Sequence, residues 1–260
     1  MRIITWNINS VRARLDIVRQ LIEEYSPDVL CLQEIKVQTD MFPRGFFEEM
    51  GMPHLAIHGQ KGHHGVATAA KAPFDDSFHI DWCGMGDARH IAIKLKEGPT
   101  LHNFYVPAGG DEPDPVINDK FAHKLKFVEE MTAWSKELAE PSILVGDLNI
   151  APHEDDVWDH KKLLKVVSHT PIETDGMLAM MAAHDWVDVM REFTPLPEKL
   201  YSWWSYRARD WDAADKGRRL DHVWVSPSLK HTPVHMEVVR GARGWEKPSD
   251  HAPVLVDFKF

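Results

Sequence analysis

Oxygen-bearing side chains stand where several predicted strands of the chain end or begin. Six of them share this position beside an apolar run: Asn7, Glu34, Asp147, Asn149, Asp221 and Asp250. Rigid scaffolds usually present reactive groups from loops at strand ends. Carboxylates, amide oxygens and water are the ligands that a hard cation such as Mg²⁺ prefers. The set therefore predicts a magnesium site, and His251 adds a group that can bind or act near neutral pH.

Taken singly, each of these residues has an ordinary structural interpretation. Asn7 or Asp147 alone is typical of a turn former whose side chain bonds its own backbone. Glu34 alone is equally a surface carboxylate, and His251 a partly buried histidine satisfied by its neighbours. The combination favours metal chemistry, and the chain has no Cys/His ligand pattern of the kind that structural zinc requires.

The composition is that of a globular protein. At 260 residues and 43% hydrophobic side chains, the chain can bury the core of one large α/β domain, residues 1–260. Cys31 and Cys83 fit neither a disulfide framework nor a thiolate metal site, which favours a reducing compartment. No apolar run is long enough to cross a membrane, and charges interrupt the first residues too often for a signal peptide. We therefore expect a cytoplasmic protein without membrane contact.

The net charge of −10 argues, at first sight, against a nucleic-acid partner. Carboxylates gathered around a metal would account for part of that excess. Basic residues are also grouped locally, at 161–165, 207–209, 216–219 and 240–247. Each group alone is typical of a solvated face, so the global charge leaves the partner open.

Short runs rich in Ile, Val and Leu predict strands at 2–6, 28–33, 89–95, 100–106, 142–146, 221–225 and 253–258. Three segments predict helices. The first places apolar residues from Val11 to Tyr25 on one face, and the second runs from about Asn118 to Leu138. The third begins at Thr170, with proline in its first turn and a capping box. Two sheets packed face to face with helices outside would bury these strands on both sides. Because no linker divides the chain, we expect this arrangement to form one domain.

Seven stretches resemble motifs of the bacterial-type exonuclease III-like apurinic/apyrimidinic (AP) endonucleases, within the endonuclease/exonuclease/phosphatase superfamily. In the family's order, they are 4–13 (ITWNINSVRA), 32–36 (LQEIK), 103–107 (NFYVP), 146–152 (GDLNIAP), 201–207 (YSWWSYR), 219–222 (RLDH) and 249–253 (SDHAP). The resemblance covers nearly the whole chain. It implies an α/β fold, a four-layered α/β sandwich of two mainly antiparallel sheets, with the site at one edge where the sheets meet.

The resemblance also implies a metal site. Glu34 would bind Mg²⁺ directly, with Mn²⁺ as the alternative ion and one or two metals in turnover. Asn7 and Asp250 would act nearby as ligands or as water-mediated support. The metal would neutralise charge growing on the phosphate and the leaving 3′ oxygen.

The remaining matching residues would carry the hydrolysis itself. Asp147 would orient or deprotonate the attacking water, and Asn149 would fix water or phosphate beside it. His251, paired with Asp221, would contact the scissile phosphate, and Tyr105 would hydrogen-bond a phosphate oxygen. Either Asp147 or His251 is the base. In-line attack by water would leave a 3′-hydroxyl and a 5′-phosphate.

The implied substrate is double-stranded DNA with abasic sites or blocked 3′ ends, held through its backbone. A monomer is the default expectation, since the sequence carries no sign of oligomerisation. Trp203 and Leu220 match positions that wall a pocket for a flipped-out baseless sugar. Arg207 and Arg218 are further candidate substrate-binding residues. Arg218 stands where relatives often have an apolar or aromatic residue, and Ala108 where they often have Asn or Gln. Both departures bear on the balance between AP cleavage, 3′ exonuclease and 3′-end trimming.

Two other functions remain compatible with this pattern. The superfamily core also serves phosphoesterases that act on RNA, phospholipids or inositol phosphates, and the pocket motifs argue against these. A non-catalytic DNA-binding relative would have lost core residues. No such loss occurs at Glu34, Asp147 or His251.

Overall fold

The structure, a computed structural model, describes residues 1–260. Its strands are β1 (Arg2–Asn7), β2 (Val29–Gln33), β3 (His54–His58), β4 (Val66–Ala70), β5 (Phe74–Phe78), β6 (His90–Leu95), β7 (Thr100–Tyr105), β8 (Ser142–Asp147), β9 (Val187–Asp188), β10 (Trp203–Trp204), β11 (Gly217–Arg218), β12 (Asp221–Val225), β13 (Pro233–Val238) and β14 (Val254–Phe258). Its α-helices are α1 (Leu15–Tyr25), α2 (Arg44–Glu49), α3 (Asp119–Glu137), α4 (His160–Leu163), α5 (Pro171–Ala183), α6 (Val189–Phe193) and α7 (Trp211–Ala214). Short 3-10 helices lie at Thr39–Met41, Trp82–Gly84, Glu154–Asp156, Pro227–Leu229 and Arg240–Gly244.

The strands form two six-stranded sheets and a small ribbon. The first sheet has the order β13-β14-β1-β2-β4-β3, the second β5-β6-β7-β8-β12-β9, and β10 pairs with β11. One pair in each sheet is parallel, β1 with β2 and β7 with β8, and the other neighbours are antiparallel. The predicted fold class, two mainly antiparallel sheets in an α/β sandwich, is confirmed.

The two sheets and the helices outside them form four layers, because each sheet is apolar on both of its faces. Residues of both sheets, such as Ile3 and Val145, share one buried core between the sheets. The outer face of the first sheet packs on α1 through side chains such as Trp6. The outer face of the second sheet packs on α3 and α5 through side chains such as Phe104 and Trp224. No helix has the length and apolar composition needed to cross a membrane.

Buried amide groups join the two sheets. Gln33 Nε2 donates to Asn103 Oδ1 at 2.7 Å and to Thr5 Oγ1 at 2.9 Å. Asn103 Nδ2 in turn donates to the carbonyl of Ala67 at 3.0 Å. A buried amide that lacks these partners would lose stability, so the pairs specify how one sheet faces the other.

The strand directions bring the predicted functional residues to one edge. The parallel pairs β1–β2 and β7–β8 end there, at Asn7 and Gln33 and at Tyr105 and Asp147. The antiparallel strand β12 begins at the same edge, because Asp221 pairs with Asp147 in register. Strand β14 is antiparallel to β1, so the residues that precede it lie at this edge too.

The predicted elements agree with the structure closely. Each of the seven predicted strands is present, with ends that differ by one residue at most, and α3 and α5 begin where expected. Thr170 Oγ1 donates to Glu173 Oε2 at 2.7 Å within the expected capping box. Val11, however, lies outside the first helix, which begins at Leu15. The Val11 N–H is used instead in a bond to the Ile35 carbonyl at 3.2 Å.

Candidate active site

His251 lies between two buried carboxylates. Its Nδ1 is 2.8 Å from Asp221 Oδ2, and its Nε2 is 3.7 Å from Asp147 Oδ2. Ser202 Oγ donates to the same Asp221 oxygen at 2.7 Å and fixes that carboxylate. Burial opposes a charge on the ring, but the two carboxylates outweigh it and raise the pKa of His251 to about 10. At neutral pH the ring is therefore an imidazolium that can stabilise negative charge.

Asp147 is held from several sides. Asn7 Nδ2 donates to its Oδ2 at 2.8 Å, and the backbone N–H of Asn149 donates to its Oδ1 at 3.0 Å. Burial raises the pKa of Asp147 to about 7, although the nearby imidazolium of His251 opposes this rise. A carboxylate with a pKa near neutrality, fixed by donors on both oxygens, is suited to orient a water and accept its proton.

The side chain of Asn7 ties the metal-site candidate Glu34 to Asp147. Besides its bond to Asp147, Asn7 Nδ2 donates to Glu34 Oε1 at 2.9 Å. Asn7 Oδ1 accepts a hydrogen bond from the backbone N–H of Asn9 at 3.1 Å. Lys36 Nζ lies 2.8 Å from Glu34 Oε2. Burial raises the pKa of Glu34, but the hydrogen bonds from Asn7 and Lys36 lower it overall, so Glu34 stays charged.

Asp250 lies next to His251 and is fixed by the pocket residue Trp203. Trp203 Nε1 donates to Asp250 Oδ2 at 2.9 Å, and Asn9 Nδ2 donates to Oδ1 at 3.2 Å. Burial raises the pKa of Asp250, but the imidazolium and these donors lower it overall. Asp250 therefore contributes a second permanent negative charge.

Tyr105 remains protonated at this edge. Burial raises its pKa far above the ordinary value, and the charges of Glu34 and Asp147 raise it further. The guanidinium of Arg89 lies 5.1 Å from the ring centroid and fixes the ring by cation–π attraction. The phenol is thus a neutral hydrogen-bond donor.

Two groups of side chains could hold a cation. Ligand atoms of Asp147, Asp221 and His251 lie within 4.8 Å of one another. That group is already partly compensated, since one imidazolium lies between its two carboxylates. Glu34 and Asp250 are charged carboxylates that line the same cavity, and they match the oxygen ligands that a hard divalent cation prefers.

A cavity of about 560 Å³ opens beside these groups. Its walls include Glu34, Asn149, Asp250 and His251. They also include every residue that the sequence assigned to substrate binding: Trp203, Arg207, Arg218 and Leu220. Ala108 lines it too. A site of this size has room for part of a polymer substrate next to the reacting groups.

The model of the endonuclease/exonuclease/phosphatase family matches residues 4–251 of this chain. The chain belongs to this family. It is 32% identical to the exodeoxyribonuclease III of Haemophilus influenzae over 277 aligned positions that cover 100% of both proteins.

Solved structures of the family share the whole fold. An AP endonuclease from Archaeoglobus fulgidus is 31% identical, with a TM-score of 0.92 and 100% of both chains covered. A Neisseria 3′ phosphatase bound to a product DNA hairpin is 29% identical, with a TM-score of 0.91 and the same coverage. The chain is therefore an exodeoxyribonuclease III-like member of the family.

Four of the predicted site residues lie next to the residues that line the cavity. Asn7 contacts Glu34, Asp147 contacts Asn149, and Asp221 contacts His251. Tyr105 pairs with Asp147 across β7 and β8. The structure therefore brings the predicted residues together at one edge, some in the cavity wall and the others in contact with it.

Some residues of the site were not predicted from the sequence. Lys124 and Glu173 form a completely buried pair at 2.5 Å. Lys124 Nζ also donates to the carbonyl of Asn149 at 2.8 Å, and Glu173 accepts the backbone N–H of Ser168 at 2.9 Å. The pair joins the cavity wall at Asn149 and Ser168 to helices α3 and α5. The capping box at Glu173 was visible in the sequence, but nothing there indicated its partner.

Arg219 is a second unpredicted support. It is completely buried, with Nε 2.7 Å from Asp156 Oδ1 and Nη1 2.7 Å from Asp188 Oδ2. These charges outweigh the cost of burial and raise the pKa of the guanidinium. Because Arg219 directly precedes Leu220 and Asp221, the ion pairs fix both. The matched stretch 219–222 was the sequence feature that could have drawn attention to it.

Proposed function

We propose that this chain is a Mg²⁺-dependent DNA repair phosphodiesterase. It cleaves the DNA backbone 5′ to abasic sites and leaves a 3′-hydroxyl, and it also trims 3′ ends of duplex DNA as a 3′–5′ exonuclease. The observation that carries this proposal is the His251 imidazolium held between Asp147 and Asp221, beside a cavity walled by Trp203 and Leu220. The names of the relatives, an exodeoxyribonuclease III, an AP endonuclease and a 3′ phosphatase, support the same chemistry.

The donor set fits Mg²⁺, with Mn²⁺ as the alternative. Glu34 and Asp250 would hold the ion, since both carboxylates are charged and line the cavity. Asn7 would support Glu34 through its amide N–H groups, because its oxygen already accepts from Asn9. Bound metal neutralises charge on the phosphate and on the leaving 3′ oxygen.

The attacking water would be activated by Asp147. Its pKa of about 7 allows it to be ionised at neutral pH and still accept a proton. His251 is unsuited to be the base, because a group with a pKa of about 10 is already protonated. In this assignment the Nε2–H of His251 donates to a phosphate oxygen. Asp221, which accepts from Nδ1, holds the imidazole ring in its charged form and in this orientation.

Tyr105 would complete the phosphate site, and Asn149 would fix the water beside it. Tyr105 keeps its proton and can donate to a phosphate oxygen. Asn149 Nδ2 lies 2.9 Å from the carbonyl of Val106 and 3.2 Å from Asp147 Oδ2. Both N–H groups of the Asn149 side chain are thereby used, and its Oδ1 is left to accept a hydrogen bond from the water. Donors aimed at developing negative charge account for a large part of catalysis in such sites.

Trp203 and Leu220 would wall the pocket for the flipped-out baseless sugar. Such a sugar has lost stacking and pairing, so extruding it costs little, and an apolar slot excludes a normal nucleotide. Arg207 is exposed on the loop that lines the cavity and would contact the backbone. We further propose that the enzyme works as a cytoplasmic monomer, through the single domain of residues 1–260, on double-stranded DNA with abasic sites or blocked 3′ ends.

The test is a labelled duplex with one synthetic abasic site, incubated with Mg²⁺ or with EDTA. We expect a cut 5′ to the abasic site that EDTA abolishes and that Glu34→Ala reduces by about 100-fold or more. Glu23→Ala, at an exposed position of α1, is the matched control and should cut normally. An intact duplex with folded, metal-binding wild-type protein would contradict the proposal and favour an RNA or phospholipid substrate.

A further inference from the structure

Arg218 places a positive charge inside the cavity that the abasic sugar would enter. It lies on β11 opposite Trp203 on β10, and its guanidinium carbon is 5.3 Å from the centroid of the Trp203 ring. Leu220 and His251 line the same cavity. The pocket wall is thus part apolar and part cationic.

Arg218 forms no salt bridge with a carboxylate, and Glu173 acts on its charge only from a distance. Its Nη1 donates to the carbonyl of Val167 at 3.1 Å and to Ser168 Oγ at 2.8 Å. Its Nε is buried and has no hydrogen-bond partner within the protein. The next residue, Arg219, instead pairs with two carboxylates. Arg218 is therefore held in place by neutral groups and keeps its capacity to bind an anion.

Other cations in the cavity increase the positive charge. Lys216 lines it and lies with its Nζ 4.9 Å from the centroid of Trp158, and Arg207 lines it as well. Glu34 and Asp250 are the carboxylates assigned to the metal, which leaves Asp111 as the remaining acidic residue of the wall. Anionic groups are favoured here, since charge-assisted hydrogen bonds are about twice as strong as neutral ones.

We propose that Arg218 is a specificity-determining residue that shifts the enzyme from neutral abasic sugars towards DNA 3′ ends that carry a small anionic group, such as a terminal phosphate. This inference rests on the proposed function and specifies its substrate class. A phosphodiester presents a neutral sugar to the cavity. A terminal phosphate presents a further charged oxygen in its place, which the guanidinium can bind.

The reaction on such an end is a hydrolysis. The oxygen of water forms a bond to phosphorus, and the bond between phosphorus and O3′ breaks. The proton from water goes to Asp147, the leaving O3′ takes up a proton from solvent, and the products are a 3′-hydroxyl and inorganic phosphate. No oxidant, reductant or further reactant is needed.

The experiment compares kcat/KM on two duplexes of one sequence, one with a 3′-phosphate at a nick and one with an internal tetrahydrofuran abasic site. Arg218→Met removes the charge at similar volume. We expect it to lower kcat/KM on the 3′-phosphate by about tenfold or more, and at least about threefold more than it lowers kcat/KM for abasic cleavage. Arg218→Lys should keep part of the preference. Arg209→Met, an exposed arginine of the same loop, is the matched control and should leave the ratio unchanged.

A binding measurement in EDTA separates this inference from the proposed function. Wild-type protein should bind the 3′-phosphate nick several-fold more tightly than a 3′-hydroxyl nick, and Arg218→Met should abolish the difference. Equal losses on both substrates, or no loss on either, would overturn the role of Arg218 and leave the phosphodiesterase intact. Wild-type protein that cuts neither duplex would overturn the phosphodiesterase itself. Thermal unfolding of each variant identifies any that fails to fold, in which case Arg218→Lys decides.

Discussion

Replacing Lys124 with Met would remove a buried ammonium group whose three N–H donors are all used. Its Nζ lies 2.5 Å from Glu173 Oε1, 2.8 Å from the Asn149 carbonyl and 3.2 Å from the Ala108 carbonyl. Both charged side chains are completely shielded from solvent. Met has a similar length but can donate to none of these oxygens.

The stability cost of Lys124→Met depends on the contacts that Glu173 keeps. Glu173 still accepts from Ser168 and Thr170, but its charge loses the only cation paired with it. Removing one partner of a buried pair costs about 3–5 kcal/mol, a large part of a typical stability of about 5–15 kcal/mol. Glu173→Gln should cost less, about 1–3 kcal/mol. Burial already lowers the pKa of Lys124 against the opposing effect of Glu173, so without Glu173 the amine can lose its proton.

The assay is urea unfolding followed by tryptophan fluorescence, applied to each single variant and to the double variant. We expect Lys124→Met to cost more than Glu173→Gln, and the double variant to cost clearly less than the sum of the two. Lys126→Met is the control, because Lys126 on the same helix forms an exposed pair with Glu130 at 3.6 Å and should cost at most about 1 kcal/mol. Equal costs at Lys124 and Lys126, or strict additivity, would refute the reasoning. If Lys124→Met also lowers kcat on the abasic duplex by more than it raises KM, the buried pair positions Asn149 as well.

Three further predictions concern other parts of the molecule. Burial lowers the pKa of His102 to about 3, so below pH 6.5 the unfolded chain binds a proton there that the folded chain does not, and stability decreases as the pH is lowered. Between pH 7 and pH 5, His102→Gln should lose about 2 kcal/mol less free energy of unfolding than the wild type, measured by urea unfolding. Gly146→Ala should abolish soluble expression or lower the Tm strongly, because a Cβ would lie 2.0 Å from the carbonyl oxygen of Phe104. Asp221→Asn, which removes the charge that supports the His251 imidazolium, should lower kcat by about 100-fold or more with little change in KM, measured on the abasic duplex.

The fold was predictable where a strand carries its own apolar pattern. Strands β2 and β8 are buried along their whole length, β1 is buried after Arg2, and all three contain mostly buried Ile, Val or Leu. Strand β5 (FDDSF) is mostly exposed and acidic, and β4 (VATAA) is built from small residues. Those two strands are held by pairing with their neighbours, a tertiary effect that overrides local propensity.

The site was predictable where its residues follow predicted strands. Asn7, Glu34 and Asp147 needed only the strand ends to be located. The support behind them was not predictable, since a charged residue in a sequence is typical of a solvated surface. The basic group at 216–219 illustrates this point: Arg219 is buried in ion pairs and Arg218 lies in the cavity. Only the folded chain provides the carboxylates and carbonyls that offset the cost of burying these charges.

The acidic net charge and a DNA substrate are compatible only if local charge dominates. Five carboxylates are buried, Asp147, Asp156, Glu173, Asp188 and Asp221, but so are four Lys and Arg side chains. Burial therefore removes almost none of the excess of −10, and most of the surface must repel phosphate.

The attraction must come from the cavity and the loop beside it, where Arg207, Lys216 and Arg218 lie together. At physiological salt, charges further than about 8 Å away are largely screened, so distant carboxylates weaken binding little once DNA is in place. An enzyme of this kind therefore depends on what enters its cavity, which makes the charge of Arg218 decisive for the ends it selects.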